Sequence, residues 1–227
     1  MINKIYIHHH LGLGDHIALN GLVWDIAENN KDSKIYLFCK ERYHSNIQCL
    51  YAETDITLIP IPSNANEVGF ANENSKDGKL IRVGFDKYYE ALQKAPQNYT
   101  CDRIFYEMMG VDYTKRFTGF KLNRDSAKEE EVFSELNPEN EDYIFVHDDS
   151  TRGFTIPVKS DIKVIRNDIK YSIFHMIKIL ENAKEIHCIE SCFRCLVEHL
   201  DTENVKLFYH NSVRPNSITT QKKWEVL

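Results

Sequence analysis

The sequence lacks a long hydrophobic run, because no apolar stretch in its 227 residues approaches the roughly 20 that cross a bilayer. Its N-terminus has no basic segment followed by an apolar signal core. The net charge is −6, so the broad basic face that binds nucleic acid is missing. We therefore expect a cytoplasmic protein with no transmembrane segment and no nucleic-acid partner. A local basic pocket for one or two phosphates is still compatible with this charge.

Paired cysteine motifs are scarce as well. The chain has six cysteines but is 42% hydrophobic, enough for a packed core, so we expect reduced thiols. Cys192 and Cys195 are three residues apart and are flanked by His187 and His199, which would suit zinc, yet no second CxxC pair exists. We expect small buried thiols around a strand and a helix, with no metal site.

Short apolar runs alternate with amphipathic segments in the first half of the chain. Patterns typical of strands fall at 2–7, 34–40 and 56–62, and patterns typical of helices at 15–30 and 41–53. This alternation and spacing indicate parallel βαβ units.

The middle of the chain is less regular. Segment 63–79 is polar and rich in turn residues and predicts a loop, segment 80–85 predicts a short strand, and 86–95 and 101–111 predict helices. Residues 123–142 are strongly charged, with an acidic helix whose carboxylates we expect in solvent, followed by a proline break. We place the boundary between two halves of the chain there.

The strand and helix alternation then restarts. The predicted strands are 143–149, 162–168, 185–191 and 205–210, the last strand of the chain, and the predicted helices are 172–183 and 192–200. The fold class is therefore α/β, with two Rossmann-like domains, 1–125 and 126–227. We expect them to face a central cleft, where ligands bind at the carboxyl ends of strands.

The motif IHHHLGLGDHI at 7–17 follows the first strand. Three histidines that continue a strand do not resemble a purification tag. Gly12 and Gly14 match the first two glycines of the dinucleotide-binding motif GxGxxG, but Ile17 occupies the position of the third. The GK[ST] of a Walker A loop does not follow either. The two glycines still predict a turn in which backbone approaches a ligand closely.

Asp15 has two interpretations. Near the start of a helix it is a favourable cap for free amide groups, worth about 0.3–1 kcal/mol. At the carboxyl end of the first strand it also lies where a general base would be useful.

Together, HHHLGLGDHIALNGLV at 8–23 and AKEIHCIESCFRCLVEHL at 183–200 resemble glycosyltransferases of the GT-B fold, especially the heptosyltransferase-like group. The resemblance implies a compact GT-B-like protein that binds an acceptor on its first half and a nucleotide sugar on its second, without a bound metal. The catalytic aspartate of that group matches Asp15. The late motif departs from the family, since Glu190 to Phe193 stand where an aspartate, a glycine or serine, and a histidine are usual.

Inverting sugar transfer needs a base for the acceptor hydroxyl and a positive group for the leaving diphosphate. Asp15 is the expected base, with His10 and His16 as alternatives because histidine titrates near neutral pH. In VHDDSTRGFTI at 146–156, Arg152 is expected to pair with phosphate and Thr151 to add a hydroxyl. The alternative for this segment is a surface turn in which the adjacent aspartates pair with Arg152. A further, less favoured interpretation is a metal-binding aspartate pair.

Other residues of the second half complete the expected donor site. Glu190 and Ser191 come where a strand ends and a helix begins, so Ser191 would meet phosphate and Glu190 ribose hydroxyls. A simple serine cap is the alternative. His147 and Asn167 end the neighbouring predicted strands, and the loop containing Asn167 is expected to contact the base.

We therefore expect a metal-independent, inverting glycosyltransferase that uses a nucleotide sugar as co-substrate, needs no other cofactor and modifies a glycan or glycolipid in surface polysaccharide or glycan synthesis. One alternative is an inactive nucleotide- or glycan-binding module of the same fold. The other is an NAD-dependent Rossmann enzyme.

Overall fold

A computed structural model describes residues 3–85, 88–96, 99–215 and 219–227. The chain forms two compact units, Met1–Asn123 and Arg124–Leu227. Within the described ranges, no helix has the length and apolarity needed to cross a membrane. The predicted strand 2–7 and helix 86–95 begin at residues outside these ranges.

The first unit contains a parallel sheet in the order β3-β2-β1-β4. Its strands are β1 (Asn3–His8), β2 (Ser33–Lys40), β3 (Ile56–Ile61) and β4 (Lys79–Arg82). Its helices are α1 (Leu13–Ala18), α2 (Asn20–Glu28), α3 (His44–Tyr51), α4 (Glu67–Glu73), α5 (Tyr88–Lys94), α6 (Cys101–Met108) and α7 (Lys115–Thr118), with a 3-10 turn at Glu41–Tyr43. The inner strand β1 is buried at four of its six residues and β2 at four of its eight, as parallel strands covered on both faces tend to be.

Two expectations for this unit are wrong. The single helix predicted over 15–30 is two helices separated at Leu19. The second begins at the fully buried Asn20, whose side-chain oxygen accepts a hydrogen bond from the Lys121 backbone N–H at 2.8 Å. The predicted loop 63–79 contains α4, which Asn66 caps by accepting from the Gly69 N–H at 2.8 Å. Few of its residues are apolar, so the helical periodicity is weak.

The second unit has a parallel sheet in the order β6-β5-β7-β8-β9. Its strands are β5 (Tyr143–His147), β6 (Lys163–Arg166), β7 (Glu185–Cys188), β8 (Lys206–Tyr209) and β9 (Trp224–Val226). Its helices are α8 (Ser126–Leu136), α9 (Ile177–Glu181) and α10 (Cys192–Val197), with a 3-10 turn at Ser150–Arg152. Strand β5 is buried at every residue.

The sequence-based prediction missed strand β9, because 205–210 was expected to be the last strand. Trp224 is joined to the buried Glu198 through its indole N–H at 2.8 Å, and Glu198 also accepts from the Gln221 backbone N–H at 2.8 Å. These long-range bonds hold a three-residue strand that has almost no periodicity of its own.

The acidic run before β5 is not wholly solvated, contrary to expectation. Glu129 is 3% exposed and pairs with Arg124, whose guanidinium also contacts Glu181 at 2.8 Å. The α/β class with two Rossmann-like parallel units is confirmed.

Candidate active site

Asp15 lies in the first turn of α1, directly after the loop that follows β1. Its Oδ2 accepts a hydrogen bond from the Gly12 backbone N–H at 3.2 Å. Burial is the main cause that raises the pKa of this carboxyl, against the opposing effects of His10 and of the Gly12 N–H. A Cβ atom at position 12 would lie 2.6 Å from Oδ2, so glycine leaves the room that the carboxylate occupies. Gly14, in the same turn, belongs to α1.

His10 lies beside this turn in an aromatic setting. Its Nε2 is 3.1 Å from the Gly84 carbonyl oxygen, which makes Nε2–H the donor. Its ring meets Phe105 edge to face, with centroids 4.8 Å apart. Gly84 has a φ of +80°, and a Cβ atom there would lie 2.5 Å from the Phe105 ring. The fold therefore fixes His10 through a position that only glycine suits.

His16 does not share this setting. It is 0% exposed, its ring packs edge to face on His9 at 4.3 Å, and neither ring nitrogen has a hydrogen-bond partner within the described part of the chain. Burial lowers its pKa well below the usual value. A side chain enclosed in the core does not reach a substrate, so His16 is removed as an alternative base.

In the second unit, the loop after β5 forms a compact turn. Arg152 donates through Nε to Asp149 at 2.5 Å, and Thr151 donates to the same carboxylate at 2.6 Å. Asp148 pairs with Arg166. This is the geometry of the surface-turn alternative, because Arg152 is already paired and its side chain is 56% exposed.

His147 and Asn167 lie at the ends of β5 and β6, which are paired strands. His147 is buried and its ring lies 4.5 Å from that of Phe193. Burial lowers its pKa to about 4, although Asn167 favours the protonated ring. A neutral, enclosed His147 therefore brings no charge to a phosphate.

The side chains of Glu190 and Ser191 both bond to other groups of the chain. Both carboxylate oxygens of Glu190 contact the buried Arg194 guanidinium, one of them at 3.0 Å. Ser191 caps α10 by accepting from the Arg194 backbone N–H at 3.4 Å. Glu190 is thus a bidentate ion-pair partner of Arg194, and its expected contact with ribose hydroxyls stays a prediction.

Sequence reasoning missed Arg214. Its Nη1 donates to the Glu190 backbone carbonyl, and its guanidinium lies 5.6 Å from the centre of the Phe154 ring. The Arg152 guanidinium is 5.8 Å from the same ring, so one aromatic side chain brings two arginines together. Within the described ranges Arg214 has no carboxylate partner. No local motif marks this residue, because its contacts are far away in sequence.

The start of α10 completes this group of residues. Burial raises the pKa of the Cys192 thiol to about 11, while Arg152 and Arg214 are among the charges that oppose the shift. The positive charges of both arginines therefore lie near the N-terminal end of α10. Across the described segments, no three His, Cys, Asp or Glu side chains are grouped to hold a metal ion.

Comparison with known proteins gives a likeness of fold. No family model matches the chain, and no curated protein matches it in sequence. A glycosyl transferase family 9 protein from Veillonella parvula DSM 2008 aligns with 100% of this chain and 87% of its own, at 12% identity and a TM-score of 0.64. The E. coli heptosyltransferase WaaC, solved with ADP-2-deoxy-2-fluoro heptose, aligns over 99% and 92%, at 11% identity and a TM-score of 0.54.

The iron-containing dodecameric glycosyltransferase TibC from enterotoxigenic E. coli H10407 is also similar. It aligns with 97% of this chain, which spans 62% of TibC, at 12% identity and a TM-score of 0.55. The predicted resemblance to GT-B-like, heptosyltransferase-type proteins is therefore confirmed for the fold.

Proposed function

We propose that this protein is an inverting glycosyltransferase that moves a sugar from a nucleotide-sugar donor to a hydroxyl of a glycan or glycolipid acceptor, in surface polysaccharide or glycan synthesis. The observation that carries the proposal is the carboxylate of Asp15, placed after the first strand of a fold that WaaC and the family 9 protein share. The acceptor belongs to the first unit and the donor to the second.

Asp15 acts as the general base. A carboxylate whose pKa is raised by burial is a stronger proton acceptor than one in water, and it takes the proton as the acceptor oxygen attacks the anomeric carbon. The Gly12 N–H holds one carboxylate oxygen, which leaves the other for the hydroxyl. His10 lies close enough to influence the charge of Asp15 and has the role of orienting the acceptor.

The leaving nucleoside diphosphate gathers negative charge in the transition state. In the second unit Arg214 and Arg152, whose guanidinium groups lie 5.6 and 5.8 Å from the centre of the Phe154 ring, supply two positive groups for that charge. A phosphate at this point would compete with Asp149 for Arg152. Two arginines in this role make a metal-independent transfer chemically reasonable, and the backbone at the Ser191 cap adds N–H donors.

The first experiment is a thermal-shift screen of ADP-, GDP- and UDP-sugars, the free nucleotides and NAD. Nucleotide sugars and diphosphates should raise the melting temperature, whereas NAD should not. A shift with NAD alone would favour the dehydrogenase alternative, and no shift with any nucleotide would contradict the proposal.

The second experiment tests the base. Asp15→Asn should bind the donor like the wild type but lose transfer to a glycan panel by about 10²–10⁴-fold, the usual contribution of a general base. Asp32→Asn, at an exposed position of the same unit, is the matched control and should transfer normally. Transfer by Asp15→Asn at the wild-type rate would remove Asp15 from this role. Donor binding without transfer by the wild type would favour the binding-module alternative.

A further inference from the structure

A chain of three polar side chains runs along one face of β7 and the end of β8. His187 Nδ1 lies 2.9 Å from His210 Nε2, and His187 Nε2 lies 3.3 Å from Glu185 Oε2. Both rings are buried, with 8% and 9% exposure, and His187 stacks on Phe208 with centroids 4.5 Å apart. The other Glu185 oxygen contacts Lys206 Nζ at 3.4 Å.

These distances fix the arrangement of protons. Since the Glu185 carboxylate accepts, His187 donates from Nε2–H and keeps a lone pair on Nδ1. His210 then donates from Nε2–H to that lone pair. The pair can accept one further proton: His187 then carries hydrogen on both nitrogens, and His210 moves its own hydrogen to Nδ1 so that its Nε2 accepts. The pair cannot accept a second proton and keep the hydrogen bond, because both facing nitrogens would then carry hydrogen and both rings would be positively charged.

The His210 backbone connects this pair to Arg214. The His210 carbonyl accepts from the Val213 N–H at 3.3 Å and from the Arg214 N–H at 3.4 Å. Its own N–H donates to the Cys188 carbonyl at 2.9 Å. His210 is thus the first residue of the turn that ends at Arg214, and its side chain and backbone both attach the turn to β7.

We propose that the hydrogen bond between His187 and His210 is a pH-sensitive contact that positions Arg214 for the diphosphate of the donor, and that protonation of both rings releases the turn. This inference rests on the proposed function. It makes His210 a positioning residue, which acts on the ligand through the Arg214 backbone.

The surroundings of the pair support a transition below neutral pH. Burial lowers the pKa of His187 and of His210 below the usual 6.5, while Glu185 opposes the shift at His187 and the His187 ring adds to the shift at His210. Glu185 and Lys206 are the charged groups of β7 and β8 on this face, and Phe208 between them is neutral. One carboxylate compensates one imidazolium, so the second proton is the one that breaks the contact.

Trp224 offers a probe of the turn through the segment of β9. The Ser212 N–H donates to the Leu227 carbonyl at 3.0 Å, which ties the turn to the segment that contains β9. Trp24→Phe leaves Trp224 as the one tryptophan of the chain, because the sequence has two. In this background, Trp224 fluorescence should change as the pH falls from 7.5 to 5.

His210→Gln is the test variant, because a glutamine amide can still donate to His187 Nδ1 but does not titrate. Its fluorescence should stay constant over this range. ADP binding, measured by calorimetry at pH 7.5 and 5.5, should weaken in the wild type by roughly tenfold more than in His210→Gln, the ratio that loss of one buried hydrogen bond produces. His187→Gln provides a second non-titrating variant, and His44→Gln in the first unit is the control that should behave like the wild type.

The outcomes are distinct. Equal pH dependence of Trp224 fluorescence in the wild type and both glutamine variants would overturn the inference. A fluorescence change that both variants abolish, together with ADP binding that does not depend on pH, would overturn the link to Arg214. No ADP binding at either pH, with the fluorescence change intact, would contradict the donor site of the proposed function and with it the regulation proposed here.

Discussion

The loop after β1 and the loop after β5 each follow a parallel strand, but the polar groups in these two regions are held in different ways. At the end of β1, His8 and the next residue, His9, are fully buried, and both nitrogens of His8 have no hydrogen-bond partner in the described part of the chain. After β5, Asp148 and Asp149 form ion pairs with arginines near the surface. The end of β1 thus encloses two histidines, whereas the loop after β5 holds charges in compensating ion pairs. Changes in charge or volume should therefore be costly in the first region and mild in the second.

The largest expected difference between these two regions is in how much each lowers the free energy of unfolding as the pH falls. Burial lowers the pKa of His8 and of His9 to about 4, so between pH 6.5 and 4 the unfolded chain binds protons that the folded chain does not. The free energy of unfolding should fall with pH by about 1.4 kcal/mol per pH unit for each such histidine. Urea unfolding at pH 7 and at pH 5 measures this loss.

Two substitutions sharpen that measurement. His8→Phe keeps the ring stack on Phe85 and removes the nitrogens, so it should abolish one histidine's share of the slope. Asp149→Asn should leave the slope above pH 4 unchanged, because hydrogen bonds from Thr151 and Arg152 hold the pKa of Asp149 below its usual value of 3.8. Equal slopes for the wild type and His8→Phe would contradict this account.

The next largest expected difference is in the loss of unfolding free energy when Gly84 or Gly153 is replaced by alanine. Gly84 and Gly153 both have a φ of +80°, but a Cβ atom at 84 would meet the Phe105 ring at 2.5 Å, whereas at 153 it has nothing within 4 Å. Gly153→Ala should cost about 1–2 kcal/mol from backbone strain alone. Gly84→Ala should cost about 1–3 kcal/mol more because it also overpacks the core. Thermal or urea unfolding compares them, and equal costs would show that Phe105 moves aside freely.

The smallest effect concerns the two arginines on Phe154. Arg214→Ala should weaken ADP binding by about tenfold, as loss of a charge-assisted hydrogen bond does. Arg152→Ala should weaken it by about twofold, because Arg152 is exposed and must leave Asp149 to bind phosphate. Calorimetry with ADP distinguishes them. A larger loss for Arg152→Ala would make Arg152, and not Arg214, the main ligand of the phosphate.

Much of the fold was predictable because parallel strands leave a strong local pattern. The buried runs at β1, β2, β5 and β7 lie within the predicted segments or within one residue of them. The missed elements α4, α7 and β9 are short, so each leaves little hydrophobic periodicity in the sequence.

The candidate site was predictable only in part. Gly12 and Asp15 are three residues apart, so their hydrogen bond follows from a turn that the sequence indicates. Glu190 reads as a free carboxylate until Arg194 is seen to occupy both of its oxygens. In the sequence Arg214 looks like an ordinary surface residue. Only the tertiary structure places it beside Phe154, which comes 60 residues earlier in the chain.

By itself, the sequence determined the alternation of strands and helices, the division into two α/β halves and the position of Asp15 after the first strand. These features depend on hydrophobic periodicity and on glycine, which act over a few residues. The tertiary structure alone decided which polar groups are enclosed, which carboxylates are already paired and which arginines meet at Phe154. Burial and pairing are set by residues distant in the chain, and they fix the charge that each group carries.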